Sequence, residues 1–273
     1  MNILFVTNKN VYPLIGGIER ITYAVAEALR NIYGMHCYSL YTQENVLGQT
    51  TEGVFEGKVC LSEKDQVEQI AAYIKGNAIN VVIAQGSDAR VNQLMPQLKE
   101  AANQCHGVKL LFVYHTMPSF ELKPIDADVL WHRLVKGKNK SAACKQALIQ
   151  ILTMMLPSVA KKMVAGKYQM PYNNSDKVVL LSDNYIQLYD QFVNGEPNHY
   201  AVIHNMLSFP MEELSRKDKQ KEVILVARLE ERAKRVKTAL QIWKKACPPD
   251  WHLYIVGDGE DMNYYKHFAQ TLQ

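Results

Sequence analysis

The chain has no Cys-x-x-Cys pair, and its five cysteines (Cys37, Cys60, Cys105, Cys144 and Cys247) are odd in number and scattered over 273 residues. That usage excludes a zinc site of ordinary spacing and argues against a disulfide framework; it fits free thiols in a reducing cytoplasm. Long apolar runs are missing too. The longest candidate, Ala147 to Leu156, is interrupted by Gln150 and Thr153, well short of the roughly 20 residues that cross a bilayer. Met1 to Val6 is too short for a signal peptide and has no basic leader. A net charge of +4 is too weak to imply nucleic acid as a partner. Neither Gly-x-Gly-x-x-Gly nor a Walker Gly-Lys-Ser/Thr loop occurs. The last absence is local: Val129 to Gln169 contains no Asp or Glu.

What is present is an alternation of short apolar runs and helical patterns. Asn2–Thr7 reads as a buried first strand, followed by a polar loop, Gly16-Gly17, and a helix from Ile18 to about Ile32 that Gly34 caps. Strands are expected at Met35–Thr42, Val54–Leu61, Ile79–Ala84, Val108–Tyr114, Asp176–Leu181 and Tyr200–Ile203, with helices at Ser62–Lys75 and Asp88–Gln104 between them. Strands and helices at this spacing predict an α/β fold with a doubly wound parallel sheet, Rossmann-like, in the N-terminal domain. A domain over 1–206, a linker over 207–221 marked by Pro210 and a charged run, and the first part of a second Rossmann-like domain over 222–273 complete the expected plan.

That last segment reads as strand, loop, helix, strand and turn. Val223–Ala227 is a strand; Arg228 and Lys234 follow it; an amphipathic helix runs to Cys247 and Pro248-Pro249 stop it. Trp251–Val256 is the second strand and ends in Gly257-Asp258-Gly259. Two cations and a glycine turn at the carboxyl ends of neighbouring strands suit an anionic ligand such as a diphosphate. Glu230 and Glu231 beside Arg228 read most simply as solvated loop charges.

Three further features each have two readings. Gly16-Gly17 before a helix lets backbone N–H groups approach a phosphate, or is only a tight turn. His115, delivered at the carboxyl end of the fifth strand, suits a base, a phosphate ligand or a hydrogen-bond partner of substrate, or is a satisfied histidine on the sheet rim. The acid-free segment 129–169 carries Arg133, Lys136, Lys138, Lys140, Lys145, Lys161, Lys162 and Lys167 around an apolar stripe at Leu148, Ile149, Ile151, Leu152 and Met155. It reads as an amphipathic helix for an anionic membrane surface, or as a helix whose stripe packs on its own domain.

In their order and spacing, Gly16-Gly17-Ile18-Glu19, His115, Leu181-Ser182, Val202-Ile203-His204-Asn205, Arg228 to Lys234 and Val256-Gly257-Asp258-Gly259 resemble the retaining glycosyltransferases of family 4, of the two-Rossmann-domain GT-B architecture. The resemblance covers nearly the whole chain. It implies a hexosyltransferase-type enzyme that moves sugar, with retention, from a nucleotide-sugar donor held between two domains to a glycan or lipid-linked acceptor. Arg228 and Lys234 would clamp the donor diphosphate, Gly16 and Gly17 would meet it through the Gly17 amide, and His115 would be the catalytic residue facing the sugar and acceptor. Asn205, Gly257 and Gly259 would line the donor site. Neither metal nor cofactor is expected, because the two cations stabilise the leaving diphosphate. The implied setting is cell-surface polysaccharide assembly; with the free thiols the location is expected to be the cytoplasm, and the membrane reading of 129–169 would make it peripheral at the inner face of the plasma membrane.

The resemblance also has a gap. The family's later pair of glutamates, which contact the donor's sugar and ribose, would lie beyond Gln273, so the chain is expected to be C-terminally incomplete and inactive alone. The alternative is a non-catalytic protein that binds a nucleotide sugar or a membrane surface. A nucleotide-linked oxidoreductase would need a dinucleotide fingerprint and an acidic ribose ligand after the second strand, and neither is apparent.

Overall fold

The computed structural model describes residues 1–45, 47, 53–86, 89–137, 139–207, 219–246 and 248–272. Most of the expected linker, Lys138 and Cys247 lie outside them. The chain divides into two compact units, Met1–Phe120 with Lys162–Pro210, and Glu121–Lys161 with Met211–Gln273. The acid-free segment is thus split. Its first part groups with the C-terminal residues rather than with the N-terminal sheet, a partition that the sequence pattern did not suggest.

In the first unit the strands are β1 (Asn2–Lys9), β2 (His36–Gln43), β3 (Gly57–Cys60), β4 (Val81–Gly86), β5 (Lys109–Tyr114), β6 (Lys177–Leu180) and β7 (Tyr200–Val202). They form a parallel sheet in the order β3-β2-β1-β4-β5-β6-β7. Leu4, Phe5 and Val6 of β1 are fully buried, as a continuous apolar strand must be when helices cover both faces. Helix α1 (Gly17–Tyr33) ends at Gly34, which sits in the left-handed region at φ 61° and donates its N–H to Arg30. α2 (Gln66–Gly76) and α3 (Ala89–Asn103) follow, with Pro96 inside α3.

β3 is shorter than its apolar run suggests. Val54 and Phe55 are buried in the approach to the strand, where Phe55 meets Phe5 edge-on at 6.2 Å. Their hydrophobicity serves the core rather than the sheet. At the other end of the sheet, Tyr114, Tyr168, Tyr189 and Phe192 form an aromatic core in which Tyr168 and Phe192 stack at 4.0 Å. Gly86 closes β4 for a steric reason, since a Cβ there would lie 1.9 Å from the Phe112 ring.

Among the described residues three α-helices lie between β5 and β6: α4 (Ala127–Lys136), α5 (Lys140–Met155) and α6 (Pro157–Asn173); a short α7 (Asn184–Asp190) follows β6. The second unit combines α4 and α5 with β8 (Glu222–Val226), α8 (Glu231–Lys234), α9 (Val236–Ala246), β9 (His252–Val256) and α10 (Met262–Thr271). β8 and β9 pair in parallel. Ile125 and Val129 from the α4 region share one apolar cluster with Leu229, Val236, Leu240, Tyr264 and Tyr265. Two strands would bury too little apolar surface to order themselves; the α4 region covers the face that carries Leu225, Leu253 and Ile255, while Ile224, Val226, Tyr254 and Val256 are exposed.

A buried ionic network fixes that packing. The Arg133 side chain, 5% exposed, donates from Nε to Asp261 Oδ1 at 2.8 Å and from Nη1 to Gln146 at 2.9 Å, and also pairs with Glu260. Asp261 is fully buried and accepts the Glu231 backbone N–H at 2.8 Å. Lys237 bridges Asp126 and Asp128, and Tyr264 donates to Asp128. Arg133, expected among the surface cations, is therefore a core residue of this unit.

Removing one partner of a buried pair strands the other charge, at about 3–5 kcal/mol. Arg133→Leu is expected to destabilise the second unit by that amount. All three tryptophans, Trp131, Trp243 and Trp251, belong to this unit, so the urea transition read by tryptophan fluorescence should move to lower denaturant. An unmoved transition would mean that Asp261 is satisfied without Arg133.

Candidate functional site

All seven strands of the first sheet point the same way, and β1 and β4 are its neighbours at the point where the strand order reverses. Loops leaving their carboxyl ends diverge there and open a crevice. A cavity of about 380 Å³ lies at this edge, lined by Gly17, Ile18, Arg20, Ile21, His115, Asn205, Met206 and Leu207. Three of the residues singled out in the sequence, Gly17, His115 and Asn205, thus meet around one space. Arg20 had no sequence signal beyond its place one turn into a helix.

Gly16 is the N-cap of α1. Its backbone is extended (φ −170°), and it has no side chain to bond the amides of the first turn. The N–H groups of Gly17, Ile18 and Glu19 precede the first intrahelical bond, from Arg20 to Gly16 at 3.1 Å, as at any helix start. A Cβ at Gly17 would meet nothing within 4 Å, whereas one at Gly16 would approach the flexible Glu19 carboxylate at 2.6 Å. Gly17 is therefore not a packing requirement of the protein by itself, and the first-turn Glu19 carboxylate lies beside Gly16 at the positive end of α1.

His115 follows β5 directly. Its backbone N–H donates to the Gly86 carbonyl at 3.0 Å, and its Nε2 bonds the Gln85 Oε1 at the end of β4. Burial disfavours the imidazolium and pulls the pKa of His115 down to about 4, so the ring is neutral at pH 7. Gln85, itself buried, lies one residue past the expected strand Ile79–Ala84 and belongs to β4. Its polarity at the end of a strand was the one signal available. His204 lies outside the cavity lining and is held through Nδ1 by the Leu181 carbonyl at 2.8 Å.

The remaining candidates lie in the second unit, at the carboxyl ends of β8 and β9. Arg228 is 72% exposed and pairs with Glu230 at 2.7 Å. An exposed pair of this kind contributes about 1 kcal/mol or less, so a multivalent anion can displace the carboxylate. Lys234, the last residue of α8, is exposed as well. Glu231 departs from expectation. It is not a solvated loop charge but wholly buried, with Oε2 accepting from the Tyr265 hydroxyl at 2.8 Å and from the Lys237 N–H at 3.0 Å. It caps the start of α9 and ties α10 to it.

Gly257 and Gly259 have a steric role of their own. A Cβ at Gly257 (φ 149°) would lie 1.8 Å from the Ala227 carbonyl oxygen, and one at Gly259 2.3 Å from that of Leu229. The loops after β8 and β9 approach closely, with Leu229 donating to Asp258 at 2.8 Å. Their glycines are required for this approach whether or not a ligand binds. Among the described residues no cluster of His, Cys, Asp and Glu has the form of a metal site.

Because His115 binds a proton more weakly folded than unfolded, the unfolded chain takes up more protons between about pH 6.5 and pH 4, and stability falls as pH drops through that window. The full effect is up to about 3 kcal/mol. His115→Gln is expected to flatten the difference between stability at pH 7 and pH 4 by a large part of that amount, measured as paired urea titrations. Equal pH dependence in both proteins would mean that the ring is solvated.

No protein-family model matches the chain, and no curated protein matches it either. Among solved structures it is similar to the apo form of the lipopolysaccharide outer core galactosyltransferase WaaB, at 16% identity and a TM-score of 0.57, over 100% of this chain and 65% of that one. It also aligns with an alpha-glucosyltransferase in complex with UDP and a 13-mer DNA (11% identity, TM-score 0.48, 99% of this chain and 59% of that one) and with S. aureus MnaA bound to UDP (12% identity, TM-score 0.46, 100% and 66%). The chain spans less than two thirds of the length of each of these. The likeness to the galactosyltransferase shows the fold: a Rossmann-like α/β architecture around a seven-stranded parallel sheet, shared with that enzyme.

Proposed function

We propose that the protein is a glycosyltransferase that moves a sugar from a nucleotide-sugar donor to a glycan or lipid-linked acceptor, with retention, in surface-polysaccharide assembly. The observation that carries this reading is the cavity at the start of α1, where uncapped amides, Arg20 and a neutral His115 line one space. Retention, the acceptor class and the biosynthetic setting rest on the family resemblance of the sequence motifs. On this reading His115 is the catalytic residue that faces the sugar and acceptor. Gly16 and Gly17 offer backbone N–H groups to the donor phosphates. Arg228 and Lys234 stabilise the charge that builds on the leaving diphosphate, and no metal or cofactor is assigned a role. Asn205 contributes a polar group to the cavity wall.

A second, compatible reading concerns the membrane. Leu148, Ile151, Met155 and Val159 are exposed along α5 and the start of α6, and Met154 is 78% exposed. Of the apolar stripe on α5, Ile149 is buried; most of the rest faces solvent, as do Trp131 and Val135 on α4. Lys136, Lys140, Lys145 and Lys161 are exposed along this stretch, and residues 129–169 contain no acid. Apolar surface framed by cations fits the headgroup layer of an anionic membrane, and no described helix is long and apolar enough to cross one. We propose peripheral attachment at the inner face of the plasma membrane by this surface.

Calorimetry with UDP, ADP and GDP tests the first reading. Arg228→Ala should weaken nucleoside-diphosphate binding by about 1.5–3 kcal/mol, the range for a charged hydrogen bond. Gly17→Ala should weaken it by about 1–3 kcal/mol through steric conflict with the ligand while leaving the urea midpoint unchanged, since its Cβ meets no protein atom. Unchanged affinity in both variants would remove the reading.

Vesicle flotation tests the second. Binding to phosphatidylserine-containing vesicles should exceed binding to neutral ones, fall with salt, and be lost in the Met154→Glu/Met155→Glu protein. Equal recovery with anionic and neutral vesicles would reject it.

A further inference from the structure

His115 has two ring nitrogens, and the structure commits one of them. Gln85 turns its Oε1 toward Nε2. A carbonyl oxygen has no proton to give, so the hydrogen in this bond belongs to Nε2. The geometry is held from both sides: Gln85 is buried in β4, and the His115 backbone N–H is tied to the adjacent Gly86 carbonyl. β4 and β5 pair in register through Gln85 with Val113 and Gly86 with Tyr114, which places the Gln85 side chain and the following His115 at one corner of the sheet.

We propose that Gln85 is a positioning residue that holds His115 in its Nε2–H tautomer, so that Nδ1 is offered to the cavity as an acceptor for a substrate hydroxyl and not as a donor to a phosphate. A neutral imidazole has a single N–H, and here it is spent on Gln85. An anion facing this ring would find a lone pair. A hydroxyl would find a partner that can accept its hydrogen bond. Burial alone lowers the proton affinity of the ring; Arg20 is the charged side chain in the cavity lining. Phosphate recognition then falls to the α1 amides and to cations, while the Gln85–His115 pair distinguishes a hydroxyl-bearing group. The proposal rests on the reading of this cavity as a sugar- or acceptor-binding site.

The test needs no ligand. In protein labelled with nitrogen-15 histidine, long-range proton–nitrogen correlation reads the tautomer of each ring, and His115→Gln identifies the His115 signals. The wild-type protein should show a protonated Nε2 and a bare Nδ1 for His115 at pH 7. Gln85→Met, close in shape but without an acceptor, should shift the His115 signals to a mixture of tautomers. Gln85→Glu keeps an acceptor at the same place and adds charge; it should retain Nε2–H and protonate Nδ1 as well, giving an imidazolium at pH 7. An Nδ1–H ring in the wild-type protein, or His115 signals unchanged in both variants, would overturn the proposal. Loss of the functional reading would show separately, as absence of nucleoside-diphosphate binding by a protein whose His115 tautomer is still set by Gln85.

Discussion

Seven strands that all run in the same direction impose the constraint from which the first unit follows. In a parallel sheet every strand must be returned to its starting edge by a crossover, so every strand-to-helix loop opens on the carboxyl edge. The strand order adds one reversal, between β1 and β4, and loops diverge only there. The Gly16-Gly17 loop, the end of β5 with His115 and the segment after β7 with Asn205 come from positions 16 to 205 of the chain, and the topology brings all three to one cavity. Backbone chemistry does the rest. The start of α1 is uncapped because Gly16 has no side chain, and the ring at its edge is kept neutral because the sheet buries it.

The second unit solves a different problem. A pair of strands with short helices cannot bury its apolar face, and the solution uses a segment from far earlier in the chain. Ile125 and Val129 fill the apolar cluster, but the specific lock is ionic: Arg133 and Asp261 lie 128 residues apart and satisfy each other in the interior. Buried pairs of this kind contribute less to net stability than their geometry suggests, because desolvation offsets the attraction. What they supply is a strong penalty for any packing that leaves one of them unpaired. Lys237, held between Asp126 and Asp128, repeats the device at the surface of the same interface.

The two groups of candidate residues differ in what constrains them. Gly257 and Gly259 are fixed by backbone contact with Ala227 and Leu229, so a family-like glycine turn would exist here for folding reasons alone. Gly17 has no such reason, and neither does Arg228, which is largely exposed and pairs with Glu230. Residues whose identity the fold does not require are the stronger pointers to a ligand. The Gln85–His115 pair falls between these cases, since it satisfies buried polar groups and at the same time sets the chemistry that the ring presents.

The sequence by itself determined the local elements and their order. Apolar runs of strand length, helical periodicity and the glycine at position 34 are short-range signals, and every expected strand is found, most within a residue or two of its expected ends. Parallel, doubly wound architecture followed from their alternation, and the loops most apt to carry ligand groups followed from that architecture. Only the tertiary structure decided which charges are surface and which are core. Arg133 and Glu231 look like solvated residues in a charged stretch, and their burial depends on Asp261 and Tyr265, partners too distant in sequence to leave a local pattern. The exposure of Leu148, Ile151 and Met155 is of the same kind, because periodicity marks an apolar face but not what stands opposite it. So is the role of Gln85: a glutamine at the end of a strand becomes chemically informative only when the neighbouring strand, 30 residues on, delivers a histidine ring to its carbonyl oxygen.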